Sequence, residues 1–122
     1  MYRITVSARF EAAHNLLDYR GGPEPLHGHS YNVEIVVETT ELQRYDLAID
    51  FVSAKKALEA IAKEFDYKYI NDHPAFAGRN TSAENLARYF AEKLEASGSL
   101  GASRVAEVTV WEGPENRASY RP

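Results

Sequence analysis

The sequence has no cysteine, few glycines and prolines, and no long apolar run. The absence of cysteine excludes disulfide bonds and thiolate nucleophiles and fits a reducing compartment, so we expect a cytoplasmic protein. No segment approaches the roughly 18 apolar residues that a membrane-spanning helix needs. Residues 1–5 also lack the apolar core of a signal peptide. We therefore expect no membrane partner.

Basic residues are fewer than acidic ones and are not clustered. The formal net charge is −4, and Lys55-Lys56 is the only adjacent basic pair. Because proteins bind phosphate backbones with clustered lysines and arginines, we expect no nucleic-acid partner. The 122 residues contain no repeat or long linker. They suffice for one hydrophobic core, so a single domain over residues 1–122 is predicted.

Apolar and polar residues alternate along residues 2–13 and 27–39, which predicts two strands. The segment between them, residues 15–26, is rich in glycine and proline and predicts a loop. A short strand over residues 46–51 and a last strand over residues 104–112 complete a predicted four-stranded antiparallel sheet.

Two helices are predicted between the third and the last strand. Asp50 is the expected N-cap of the first helix, and residues 81–84 have the sequence of a capping box for the second, which ends at Gly98 or Gly101. Residues 66–80 are predicted as loop. The apolar positions that recur at helical spacing are Ala54, Leu58, Ile61, Phe65, Leu86, Ala87, Phe90 and Leu94.

This order of elements indicates an α+β fold with both helices on one face of the sheet. The other face, expected to be partly apolar, stays bare, and an open sheet also has unpaired edges. Joining subunits edge to edge would cover both. We therefore predict a homo-oligomer that closes into a ring.

Histidine is the residue type that points to chemistry. His27 and His29 are two positions apart at the start of a strand, so their side chains share one face. His14 closes the preceding strand with the parity of its apolar residues. Three neutral imidazoles with one open position are a ligand set of catalytic zinc sites. A pair of histidines bound to loop carbonyls is the alternative.

Three further residues are candidates for proton transfer. Asp72 directly precedes His73, and an aspartate that orients an imidazole gives a general acid or base. Glu24 lies in the loop three residues before His27, between two prolines that could hold its carboxylate over the metal. Each of these residues could equally be a solvated surface residue.

Glu112 is the last residue of the final strand, and it shares a face with Val108 and Val110. A carboxylate on an apolar face needs a partner. A planar N–C–N edge of a ligand can fill that role with two hydrogen bonds. A salt bridge with Arg117 or Arg121 is the alternative.

Together these residues resemble the family of 6-pyruvoyl-tetrahydropterin synthases and 6-carboxy-tetrahydropterin synthases. The resemblance extends over nearly the whole chain. It is carried by Phe10-Glu11-Ala12-Ala13-His14, by Leu26-His27-Gly28-His29-Ser30-Tyr31, by Asp50-Phe51, by Asp72-His73, by residues 81–87, and by Glu112 with Tyr120.

The resemblance implies a tunnelling fold whose trimers form a barrel and stack into a homohexamer, with active sites between subunits. It implies Zn²⁺ on His14, His27 and His29, where the ion would polarise a substrate oxygen. It also implies 7,8-dihydroneopterin triphosphate as substrate, held by Glu112, and a catalytic relay of Asp72 and His73.

One departure bears on the product. The usual base of the family is a cysteine four residues before the first histidine of the His-Gly-His motif, but this chain has Pro23 there. A subgroup, often called type III, carries glutamate three residues before that histidine, as Glu24 does. That subgroup cleaves the substrate side chain to 6-hydroxymethyl-7,8-dihydropterin, a folate precursor. We therefore expect this retro-aldol reaction, with 6-carboxy- or 6-pyruvoyl-tetrahydropterin synthesis as the alternative.

Two alternatives lie outside these activities. Gly21, His27, His29 and Glu34 have the spacing of a first cupin motif, in which iron is held by two histidines and a carboxylate. However, two helices fit a jelly roll poorly, and a regular strand turns Glu34 away from His29. The second alternative is a non-catalytic pterin-binding module that has lost activity together with its cysteine.

Overall fold

The computed structural model describes all 122 residues and has an α+β fold, as predicted. Its elements follow one another as β1 (Tyr2–His14), β2 (His27–Thr39), α1 (Phe51–Ala62), β3 (Lys68–Tyr69), α2 (Ala83–Ser97), β4 (Arg104–Glu112) and β5 (Asn116–Tyr120). The strands form one five-stranded sheet in the order β3-β1-β2-β4-β5. Neither helix has the length and apolar character to cross a membrane.

The sheet differs from the predicted four-stranded antiparallel sheet. Residues 46–51 form no strand, because none of them pairs with a strand of the sheet: a 3₁₀ turn ends at Asp46 and α1 begins at Phe51. Instead, β3 pairs with β1 in parallel, and β5 pairs with β4 in antiparallel orientation. Both additional strands are short and lie at the edges of the sheet. The sheet is mixed because β3 is parallel to its neighbour and the other strands are antiparallel.

One face of the sheet carries the hydrophobic core, and both helices pack on it. The predicted parity is confirmed for β1, β2 and the end of β4, because alternate residues there are buried on this face. The buried apolar strand residues on this face are Val6, Ala8, Phe10, Ala12, Tyr31, Val33, Ile35, Val37, Val105, Val108 and Val110. Val105 departs from the alternation because the register between β2 and β4 shifts at Val36 and Val37. All of the predicted apolar helix positions are buried too, although Phe65 lies beyond the last residue of α1.

Both helices begin at a side-chain cap. Asp50 caps α1 as predicted, accepting a hydrogen bond from a backbone N–H in the first turn. The N-cap of α2 is Ser82, so the capping box predicted from Thr81 and Glu84 does not form. Gly98 ends α2 with a φ of 71°, a left-handed conformation that glycine adopts without a steric penalty.

The uncovered face of the sheet carries mostly polar residues together with a few apolar ones. Its apolar residues in the central strands include Ala13, Val36 and Trp111. Its polar residues on β1, β2 and β4 include Arg3, Thr5, Ser7, Arg9, Glu11, Ser30, Asn32, Glu34, Glu38, Arg104, Glu107 and Thr109. The uncovered face and the unpaired edges of the sheet therefore both remain grounds for predicting assembly.

Candidate metal centre and active site

Three of the four histidines converge at one end of the sheet. His14 closes β1 and pairs directly with His27, the first residue of β2. His29 follows on the same face of β2. The ring centroids are 4.6 Å apart for His14 and His27, 5.1 Å for His14 and His29, and 4.9 Å for His27 and His29. One nitrogen from each ring lies within 4.8 Å of the others. We call these residues the histidine trio.

Hydrogen bonds from outside the trio fix the proton positions of two rings. Nδ1 of His14 lies 2.7 Å from the carbonyl oxygen of Thr81, and Nδ1 of His27 lies 2.8 Å from that of Pro25. A carbonyl oxygen only accepts, so both Nδ1 atoms carry the proton and both Nε2 atoms have a free lone pair. Metal-binding histidines are oriented by outer hydrogen bonds of this kind.

Buried nitrogens without hydrogen-bond partners mark the centre of the trio. Nε2 of His14 and Nε2 of His29 are both buried and unpaired. Leaving a buried polar atom unsatisfied costs about 1–3 kcal/mol, which a bound ion would avoid. Burial lowers the pKa of His29, while Glu112 acts in the opposite direction, so this ring is neutral at pH 7. The three imidazoles can therefore hold one divalent metal ion, since two of them have a lone pair assigned to Nε2.

Glu24 is fastened beside the trio by the loop between β1 and β2. Its Oε1 accepts a hydrogen bond from the Leu16 N–H at 2.8 Å, and its own N–H donates to the Leu16 carbonyl at 2.9 Å. The Asn15 side chain donates to the Glu24 carbonyl at 3.1 Å. The carboxylate consequently lies 3.9 Å from Nε2 of His27. The loop thus brings Glu24 to the trio, as its position in the sequence led us to expect.

Glu112 reaches the trio from the end of β4. Its Oε2 lies 3.7 Å from Nε2 of His29, and its side chain is half-buried. Neither arginine considered as an alternative partner binds it. Arg117 stacks on Trp111 at 4.5 Å, and Arg121 forms an ion pair with Glu107 at 2.6 Å. The Glu112 carboxylate is therefore available to a ligand.

A single cavity of about 330 Å³ joins these groups, and we call it the histidine cavity. Its polar lining includes the histidine trio, Glu24 and Glu112, and the first turn of α2 closes one side. Glu34 points to the opposite face of the sheet, where it faces Ser7 and Thr109 on the neighbouring strands. Glu34, which would be the carboxylate ligand of the cupin motif, is therefore absent from the cavity, and the sheet with two helices is not a jelly roll.

Asp72 and His73 line a different cavity of about 340 Å³ that shares no lining residue with the histidine cavity. Within one chain, therefore, they do not meet the trio. The expectation that Asp72 orients His73 is wrong. Nε2 of His73 lies 2.8 Å from Glu64, and Asp72 is exposed. The reason is local, because the turn Ile70–Asp72 buries Ile70 and leaves Asp72 on its outer side.

The sequence did not reveal three residues near these sites. Glu64 and Tyr89 bind each other at 2.5 Å beside His73. Thr81, fully buried, has its hydroxyl 3.2 Å from Nδ1 of His14. Glu64 and Tyr89 come from separate elements and carry no motif. Thr81 was noticed only as part of a predicted cap.

The sequence and the fold are both similar to those of pterin enzymes. Residues 3–122 match the family described as 6-pyruvoyl tetrahydropterin synthase. A 6-carboxy-5,6,7,8-tetrahydropterin synthase from Aquifex aeolicus is 28% identical, over 98% of this chain and 98% of its own. A dihydroneopterin monophosphate aldolase from Pyrococcus furiosus is 31% identical, over 93% of this chain and 91% of its own.

A solved structure supports the fold. The 6-pyruvoyl tetrahydropterin synthase of Plasmodium vivax matches with a TM-score of 0.80 and 22% identity, over 99% of this chain and 97% of its own. That protein has also been solved with alanine in place of a glutamate that is one of its catalytic residues.

Proposed function

The chain belongs to the 6-pyruvoyl tetrahydropterin synthase family, and we propose that it is a zinc-dependent lyase acting on the side chain of 7,8-dihydroneopterin triphosphate. The product is 6-hydroxymethyl-7,8-dihydropterin. One observation carries this proposal: the only carboxylate fastened by its loop beside the histidine trio is Glu24, in a chain without cysteine. A relative from Pyrococcus furiosus that is described as a dihydroneopterin monophosphate aldolase supports cleavage of the side chain.

The metal would be held by His14, His27 and His29. When bound, a zinc ion supplies a Lewis acid that polarises an oxygen of the substrate side chain. The protein supplies the ligand orientation through the carbonyls of Thr81 and Pro25.

Glu112 would hold the pterin ring. A pterin presents an N–C–N edge with two N–H donors, which a carboxylate accepts in a paired, charge-assisted arrangement. Its partly buried position and lack of an arginine partner support this role. The ring then lies beside the trio with its side chain towards Glu24.

Glu24 would act as the base. It takes the proton from the hydroxyl on the second side-chain carbon, and the electron pair forms a carbonyl there as the bond between the first and second carbons breaks. The electrons of that bond remain on the first carbon, which takes up a proton. The ring keeps a hydroxymethyl group, and the rest of the side chain leaves as a phosphorylated aldehyde, so atoms and electrons balance.

Asp72 and His73 would reach the reaction from a neighbouring subunit. Each chain holds them in a cavity separate from its own histidine cavity, so a shared site requires a second copy. The unpaired outer edges of the sheet offer a means of assembly. We propose a homohexamer of two stacked trimers, in which His73 donates or accepts the second proton of the reaction.

The relative from Aquifex aeolicus favours a second candidate, 6-carboxy-5,6,7,8-tetrahydropterin synthesis. The two activities share the metal and the pterin pocket and differ in which side-chain proton is removed. A cysteine base is absent from this chain, which weighs against the second candidate.

The product identifies the activity. Zinc-loaded protein is incubated separately with 7,8-dihydroneopterin triphosphate and with the monophosphate, and the released pterin is identified by mass. We expect 6-hydroxymethyl-7,8-dihydropterin, faster from the triphosphate. A 6-carboxy- or 6-pyruvoyl-tetrahydropterin product would refute the proposal. So would binding of the pterin without turnover, which would indicate a binding module.

A further inference from the structure

The ring of His73 is held by a carboxylate that the mechanism above does not use. Nε2 of His73 lies 2.8 Å from Oε1 of Glu64, and the Tyr89 hydroxyl donates to the same oxygen at 2.5 Å. We propose that Glu64, fixed by Tyr89, is the positioning residue that orients His73 for proton transfer, in place of Asp72. This inference rests on the proposed function, in which His73 moves a proton.

The hydrogen bonds assign the protons of the ring. Nδ1 of His73 accepts from the backbone N–H of Ala75 at 3.1 Å, because an N–H can only donate. In the neutral ring the proton is therefore on Nε2, from which it is donated to Glu64. The ring is oriented from both sides, and its tautomer is fixed by contacts within one chain.

Asp72 cannot serve as this partner in the observed conformation. Glu64 is the only residue with a carboxylate oxygen within 4.0 Å of a ring nitrogen of His73. The backbone at His73 is extended, with φ −71° and ψ 132°, so the side chains of the two neighbours diverge. Adjacency in the sequence therefore does not produce contact here.

The surroundings strengthen the bond between Glu64 and His73. Phe65 and Phe76 flank the imidazole, with ring centroids at 4.8 Å and 6.2 Å. Electrostatic attraction is stronger in such an apolar setting than in water. Burial raises the pKa of Tyr89, and its hydrogen bond to Glu64 raises it further, so the phenol stays protonated and continues to donate.

The arrangement determines how His73 can react. A proton taken from substrate can enter the ring only at Nδ1, where it displaces the weak contact with Ala75. The ring then becomes an imidazolium, and Glu64 stabilises its charge from the opposite side. Tyr89 keeps the carboxylate in position throughout. Glu64 therefore acts through His73 and does not contact the substrate.

Proton NMR of protein labelled with ¹⁵N-histidine tests the pairing without measuring activity. The hydrogen bond slows solvent exchange of the Nε2 proton, so we expect its resonance in the wild type and in Asp72→Asn but not in Glu64→Ala. Persistence of the resonance in Glu64→Ala, or its loss only in Asp72→Asn, would overturn the inference. If the resonance is lost only in Glu64→Ala but the wild-type protein turns over no pterin, the pairing is supported and the proposed function is contradicted.

Kinetics test the consequence in a variant that preserves the local shape. Glu64→Gln retains an acceptor for Tyr89 but loses the negative charge, so we expect kcat to fall about tenfold or more while KM changes less than about threefold. Glu64→Asp should recover part of kcat. Glu59→Gln, at an exposed glutamate on α1 that pairs with Lys55, is the matched control and should retain wild-type kcat. Equal kcat values for Glu64→Gln and Glu59→Gln would overturn the inference.

Discussion

The oxygen of Glu24 that accepts the Leu16 N–H at 2.8 Å also lies 3.9 Å from Nε2 of His27. The same contact that closes the loop between β1 and β2 therefore fixes the distance between the carboxylate and the histidine trio. The second carboxylate oxygen makes no hydrogen bond within the chain, and in the proposed reaction it takes the substrate proton.

Replacing Glu24 should abolish turnover without disturbing the site. In Glu24→Gln the amide oxygen can still accept the Leu16 N–H, but the side chain can no longer take up a proton. We expect kcat to fall by about 100-fold or more, with zinc content and pterin affinity unchanged. Glu115→Gln, at an exposed turn position, is the control. Rate measurements that find full activity in Glu24→Gln would rule out this carboxylate as the base.

Replacing Glu112 should weaken pterin binding and leave the metal in place. A glutamine offers only one acceptor oxygen to the N–C–N edge and carries no charge, so we expect pterin affinity to fall by about 10- to 100-fold. Titration of the zinc-loaded protein with a non-reactive pterin measures this change. Undiminished affinity in Glu112→Gln would show that another group holds the ring.

Metal-free protein should lose stability as the pH falls. Burial lowers the pKa of His29 below the ordinary value of about 6.5 that it has in the unfolded chain. Between these two pKa values the unfolded chain binds a proton that the folded protein does not, so acid favours unfolding. The contribution of His29 is complete above about pH 6.5 and is lost below it.

Urea unfolding of the metal-free protein at about pH 7.5 and about pH 5.5, above the ordinary range of carboxylates, measures this effect. We expect a lower midpoint at the acidic pH and a smaller difference in His29→Gln. A midpoint that rises on acidification would contradict the assignment.

The core on which the site rests should be sensitive to cavities. Leu58 on α1 is fully buried, and its replacement by alanine should lower the free energy of unfolding by about 2–5 kcal/mol. Leu42 is 41% exposed, so Leu42→Ala should change the free energy of unfolding by no more than about 0.5 kcal/mol. Equal effects of the two substitutions in urea unfolding would mean that α1 does not pack on the sheet as described.

The sequence predicted the elements with strong periodicity and missed those without it. Apolar and polar residues alternate clearly along β1 and β2, and apolar residues recur at helical spacing in both helices. The buried faces of these elements and the convergence of His14, His27 and His29 could therefore be predicted. β5 has the sequence Asn-Arg-Ala-Ser-Tyr, in which only Ala118 and Tyr120 face the core, and β3 has two residues. Strands with so little sequence pattern form because they pair with a longer neighbouring strand, β1 for β3 and β4 for β5.

Side-chain partners were harder to predict than elements. Asp72 and His73 are adjacent in sequence, yet the backbone turns them apart, and Glu64 takes the place of Asp72. Such a contact depends on the path of the chain between α1 and α2, which no local pattern reveals. The same holds for Thr81, which was expected to cap a helix and instead lies behind His14.

The most direct test of the account is the metal itself. Purified protein loaded with zinc is analysed for metal content and by X-ray absorption at the zinc edge, together with His14→Ala and, as a control, His73→Ala. We expect one zinc ion per chain with three imidazole nitrogens at about 2.0–2.1 Å, retained in His73→Ala and lost in His14→Ala. Bound iron, or full zinc content in His14→Ala, would contradict the central claim that the three histidines hold one zinc ion.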